Sequence, residues 1–126
     1  MARARLISGE DEGPPESDIL TGWPHPRATG QIFGHGGPEA ELIEAMTSNR
    51  FHHAWLMTGE EGIGKAAFAY RIARFLLSQE AGMPDAAASL DIAPDSKAYR
   101  QVLNRSHPGL LVIRRAWDTG GKRLRQ

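Results

Sequence analysis

The 126-residue chain contains no cysteine. Disulfides, cysteine-ligated zinc and thiol chemistry are therefore excluded. It also lacks any run near the roughly 18 apolar residues that a membrane-spanning helix needs. The densest stretch, residues 66–77, is broken by Arg71 and Arg74. Arg3 and Arg5 near the start are not followed by an apolar segment, so no secretory signal is visible. Internal repeats are absent. Together these features point to a soluble cytoplasmic protein with no membrane partner.

Net charge is missing too, since 15 Lys and Arg balance 15 Asp and Glu. The balance is uneven along the chain: residues 1–96 hold 14 acids and 7 bases, whereas residues 97–126 hold 8 bases and one acid. At 40% apolar and 24% charged residues, the composition is that of one globular domain. Residues 1–31 read as an irregular, mobile leader, with Gly13-Pro14-Pro15 and Trp23-Pro24-His25-Pro26 opposing regular structure. The segment from Gly9 to Asp18 is acidic and is the part read as mobile.

Residues 32–126 read as the ordered domain. Gly37 followed by Pro38 predicts a helix start, with Glu39, Glu41 and Glu44 in its early turns and Leu42, Ile43 and Met46 on its apolar stripe. Ser48-Asn49 predicts its end. Residues 54–57 are continuously apolar, the pattern of a strand buried on both faces in a parallel sheet. A long helix follows, with Phe68, Ala69, Ile72, Phe75 and Leu76 on one side, ended by Gly82 and Pro84. Residues 80–96 read as a variable loop, and a short helix beginning near Asp95 or Ser96 carries Tyr99, Val102 and Leu103. His107-Pro108-Gly109 predicts a turn, residues 110–113 a second buried strand, and Thr119-Gly120-Gly121 a turn in the basic end.

The segment between the first strand and the long helix carries the chemistry. Gly59-Glu60-Glu61-Gly62-Ile63-Gly64-Lys65-Ala66 matches the phosphate-binding loop G-x-x-x-x-G-K-[ST] at all but its last position. Gly59 turns the chain off the strand, and Gly62 and Gly64 permit the positive φ that turns successive N–H groups inward. The helix start adds a positive dipole end, and Lys65 a point charge for the outer phosphates. Ala66 lacks the hydroxyl that holds Mg²⁺. Glu60 and Glu61 are unfavourable beside a polyphosphate unless they point to solvent. No acidic residue directly follows the second apolar segment, where Arg114 and Arg115 stand. The expectation is a degenerate phosphate loop formed by Gly59, Gly62, Gly64 and Lys65, with ATP disfavoured as a cofactor, no metal site and no catalytic residue.

Of the remaining residues, His52 and His53 read as strand-entry packing and Trp55 as core. His25, His35 and His107 are assigned to turns without a catalytic role. Arg71 and Arg74 read as the solvent side of the long helix. Arg114, Arg115, Lys122, Arg123 and Arg125 read as a solvated strand end rather than a dedicated contact to DNA phosphates.

Ile32-Phe33-Gly34-His35, the block from Arg50 to Gly59, the block from Gly62 to Leu77, and Ser106-His107-Pro108 with its following apolar run together resemble the delta-prime subunits of bacterial DNA polymerase III clamp loaders. The resemblance implies an α/β AAA+ fold of the P-loop NTPase type, a parallel sheet with flanking helices, incomplete in this chain because lid and collar lie past residue 126. It also implies a rigid, non-hydrolysing subunit that helps load the sliding clamp on primed DNA beside delta and gamma/tau subunits. Polymerase activity would belong to the holoenzyme. Ala66 agrees with that role, as does the lack of the zinc-binding cysteines usual in gamma/tau. Gly109 departs from the Asp usual after His-Pro. Two other readings stay open: a fragment of a working P-loop ATPase or kinase that binds ATP at Gly59–Lys65, and a small DNA-binding module using the basic end.

Overall fold

The computed structural model describes residue 16 and residues 18–79, 86–118 and 123–124. Three helices organise them: α1 (Gly36–Thr47), α2 (Lys65–Ser78) and α3 (Lys97–Leu103), preceded by a 3-10 turn at Pro26–Ala28. Helix α1 begins at Gly36 with His35 as its cap, two residues before the expected cap Gly37 and first helical residue Pro38. Asn49 closes it in the left-handed region at φ 54°, and Arg50 N–H donates to the Ala45 carbonyl at 3.0 Å. An otherwise orphaned carbonyl near the helix end is thereby satisfied. Helix α3 starts as its sequence predicts, with the Ser96 hydroxyl accepting from Tyr99 N–H at 3.2 Å.

Helix α2 is the spine, and it is buried on more than one side. Phe68, Ile72 and Phe75 meet Leu42 and Met46 of α1, and Leu90 joins the same cluster. Around the helix from these, Tyr70 meets the His25 ring edge-on at 5.7 Å, and Arg74 reaches the Pro26–Ala28 turn. Helix α3 also packs on α2, with Ala98 and Val102 buried. The described end of the expected leader is thus docked on α2: His25 is 6% exposed, and Glu16 and Asp18 are tied into ion pairs. Leu90, 1% exposed, lies in the stretch expected as a variable loop. The expected helix stop at Gly82 and Pro84 lies outside the described residues; α2 ends at Ser78.

The expected parallel sheet with flanking helices is not there: among the described residues the fold is helical. Residues 54–57 and 110–113 form no strand, and no backbone hydrogen bond joins them. Among the described residues the only ladder is a two-residue antiparallel pair, Trp117–Asp118 with Arg123–Leu124. The Thr119-Gly120-Gly121 turn between them lies outside the described residues. A continuous apolar run reads as a two-sided buried strand only if a hydrogen-bonded neighbour and a second covering layer exist. Here each run borders α2 over its own hollow, and the two hollows share only Ala69. Each run is covered on one side at most. Leu56, Leu111 and Ile113 are consequently 88%, 83% and 87% exposed. Trp55, expected in the core, is 40% exposed and rests on Phe51 at 5.6 Å between ring centres. His52 and His53 are also exposed.

Candidate functional site

The loop before α2 has the backbone its glycines allow. Gly59, Gly62 and Gly64 take φ values of 144°, 82° and 93°, where a side chain would strain the chain. Helix α2 begins at Lys65 with Gly64 as its left-handed cap. The first bond into the helix runs from Phe68 N–H to the Gly64 carbonyl at 2.9 Å. The N–H groups of Lys65, Ala66 and Ala67 have no backbone acceptor, as expected for a helix start. They are donors at the positive end of the helix dipole.

Lys65 does not project outward. Its ammonium donates to the Gly59 carbonyl at 2.9 Å and also to the Glu60 carbonyl. The lysine therefore closes the loop over itself, using carbonyl oxygens as its counter-ligands. Glu60 and Glu61 are exposed, which keeps their charge in solvent and off the free N–H groups. Ala66 is exposed and offers no oxygen for a cation.

A cleft of about 740 Å³ opens beside Lys65, lined among others by Phe33, His35, Leu56 and Ile63. The turn before α1 lines part of it, with the Phe33 carbonyl and the His35 Nδ1 2.7 Å apart. The His35 ring packs on Phe68 at 5.4 Å, and a Cβ at Gly64 would come within 3.6 Å of it. Gly59, Gly62, Gly64 and Lys65 lie together in the loop before α2, and His35 is an unforeseen neighbour.

Sequence reasoning missed the inward arginines of α2, Arg74 buried and Arg71 half-buried. Arg71 and Arg74 do not face solvent. Arg71 bridges Glu39 of α1 at 3.2 Å and Asp91 at 2.7 Å. Burial works to lower its pKa, but these two carboxylates hold it above its ordinary value. Its charge in turn holds the Asp91 carboxyl below the usual range. Arg74, 3% exposed, has no carboxylate partner among the described residues. It donates to the carbonyls of Arg27 at 2.8 Å and Thr29 at 3.0 Å, and its guanidinium lies 4.7 Å from the centre of the Tyr99 ring. Burial lowers its pKa from the usual value. An arginine at helical spacing looks solvated by pattern alone; only the docking of the Pro26–Ala28 turn gives it acceptors.

Glu16 gathers charges from distant parts of the chain. Arg27 and Arg105 each approach it at 2.6 Å and Arg114 at 3.1 Å. Burial pushes the Glu16 carboxyl up, but hydrogen bonds from Arg27 and Arg114, together with their charge, bring it down to about 2. His25 Nε2 lies 2.6 Å from Glu16 and 3.1 Å from Asp18, without an aligned hydrogen bond. One ligand atom each from Glu16, Asp18 and His25 falls within 4.8 Å of the others. A cation does not suit this cluster. The His25 Nδ1 accepts Arg27 N–H at 3.0 Å, so the ring proton sits on Nε2, where a metal would bind. The arginines already neutralise the acids. Arg114 therefore belongs to an internal network, while Arg115 stays exposed.

A family model described as DNA polymerase III, delta subunit, matches residues 36–122. No curated protein and no solved structure matches the chain. No helix among the described residues is long and apolar enough to cross a membrane.

Proposed function

Because the chain belongs to the DNA polymerase III delta-subunit family, we propose that it serves as a clamp-loader subunit of delta-prime type, structural rather than hydrolytic, in cytoplasmic DNA replication. Its partners would be the gamma/tau and delta subunits and, through them, the sliding clamp and primed DNA. The observation that carries the non-hydrolytic role is the state of the loop. The three glycines and the helix start supply phosphate-type donors, yet Ala66 removes the oxygen that would hold Mg²⁺ and Lys65 is turned onto the Gly59 and Glu60 carbonyls. Gly59, Gly62, Gly64 and Lys65 would then shape a rigid surface for neighbouring subunits. Arg105 and Arg114 are engaged by Glu16, which disfavours a free basic arm for DNA.

Calorimetric titration with ATP, with and without Mg²⁺, tests this. The expected result is no Mg²⁺-dependent binding tighter than about 10 μM, or about −7 kcal/mol. Tighter, Mg²⁺-dependent binding would replace the structural reading with that of a working ATP site.

A further inference from the structure

The carboxylates of Glu16 and Asp18 act as a clip held by charge. Among the described residues, residues 16 and 18–23 hydrogen-bond to the rest of the chain only through these two carboxylates. Residues 19–24 are exposed, so no buried side chain there anchors the segment. The arginines that receive the clip are fixed without it. Arg27 Nε donates to the Leu103 carbonyl at 3.2 Å, and the Arg27 carbonyl accepts from Arg74 at 2.8 Å. Arg105 closes α3 at φ 56°, with the next N–H, of Ser106, donating to the Gln101 carbonyl at 2.8 Å. Glycine or asparagine ordinarily takes that left-handed position. An arginine there costs backbone strain, which its side chain must offset.

Three guanidiniums close on both oxygens of Glu16. Arg27 approaches one at 2.6 Å; Arg105 at 2.6 Å and Arg114 at 3.1 Å approach the other. Three cations thus face two carboxylates, and the cluster keeps a positive excess with the clip in place. The Arg105 side chain is 58% exposed, so the cluster opens to solvent. Guanidinium groups converging in this way suit a phosphate, which offers more acceptor oxygens than a carboxylate and accepts paired N–H donors.

We propose that Arg27, Arg105 and Arg114 form a binding site for a phosphate dianion, with Glu16 as its tethered competitor. One dianion replaces the charge of both clip carboxylates. A phosphodiester carries a single charge, so a free phosphate or a terminal phosphomonoester fits better than a nucleic-acid backbone. None of the three arginines borders the cleft beside Lys65, so the site stands apart from the glycine loop.

Titration of the full chain with inorganic phosphate, balanced with chloride at constant ionic strength, tests the inference. A competitor on a short tether acts at roughly millimolar effective concentration. Glu16→Gln should therefore tighten phosphate binding about tenfold, and adding Arg105→Ala should remove the gain. Arg105→Ala alone removes an exposed group, so it tests the site even where Glu16→Gln is unstable: phosphate should raise its melting temperature less than that of wild type. A short deoxyoligonucleotide with a 5′-phosphate separates the two sources. If it binds more tightly than inorganic phosphate, the site takes phosphomonoester ends; if more weakly, the free ion. Equal phosphate affinity in wild type and Glu16→Gln overturns the proposal. So does stabilisation by phosphate that survives Arg105→Ala, or an unphosphorylated oligonucleotide that binds as well as the phosphorylated one.

Discussion

Arg74 is the most exacting test of how the amino-terminal segment is held. Its guanidinium is buried without a carboxylate and supplies the carbonyls of Arg27 and Thr29. Two charge-assisted hydrogen bonds contribute about 1.5–3 kcal/mol each, and the Tyr99 ring adds about 0.5–2 kcal/mol. Desolvation of the cation offsets several kcal/mol of that gain. The intact side chain is thus close to balance, but truncation is not. Arg74→Ala leaves two carbonyls without a partner and a void beneath the Pro26–Ala28 turn, a loss of about 2–4 kcal/mol. Arg74→Met keeps the stem and loses the donors, for about 1–3 kcal/mol, while Arg74→Lys serves one carbonyl and costs about 1–2 kcal/mol. Urea unfolding of the full chain, followed by circular dichroism, gives the three values. An Ala variant within about 0.5 kcal/mol of wild type would refute the reasoning. A Met variant more stable than wild type would do the same, since desolvation would then outweigh both hydrogen bonds.

Two further outcomes follow from the charge network and the glycine loop. Glu16 is held at about 2 in the folded chain against an ordinary value of 4.5. Its contribution is therefore full above pH 4.5 and is lost as pH falls toward 2; Glu16→Gln should remove about 1–2 kcal/mol at neutral pH and flatten that part of the acid-unfolding profile. An unchanged acid profile in the variant would show that Glu16 is not the group responsible. Gly64→Ala has room for its Cβ but must hold φ near 93°, so thermal unfolding should show a loss of about 1–2 kcal/mol; a melting temperature equal to wild type would mean that the loop relaxes without strain.

The helices were legible because their signals are local. Pro38 and the acids after it mark α1, Gly64-Lys65 marks the start of α2, and Ser96 caps α3 within a residue of its expected position. The loop glycines were legible for the same reason, since positive φ is a property of one residue. The sheet was not. Residues 54–57 and 110–113 have strand composition, but a strand exists only with a hydrogen-bonded neighbour, and none of the described residues provides one. The second buried side of α2 was equally hidden. Tyr70 and Arg74 depend on His25 and on carbonyls more than 40 residues away, and no periodicity encodes which remote turn covers a helix.

The Glu16 cluster sets an order of events for the chain. Its links to Arg105 and the Asp18 link to Arg114 span 89 and 96 positions. Closing so large a circuit is entropically unfavourable until intervening segments are fixed. The α1–α2 contact, joined by the 17 residues 48–64, closes a far smaller circuit and therefore forms first, and the charge cluster closes over it last. In reverse, the amino-terminal segment releases before the helices separate, so the cluster sets how quickly the chain begins to open more than how quickly it folds.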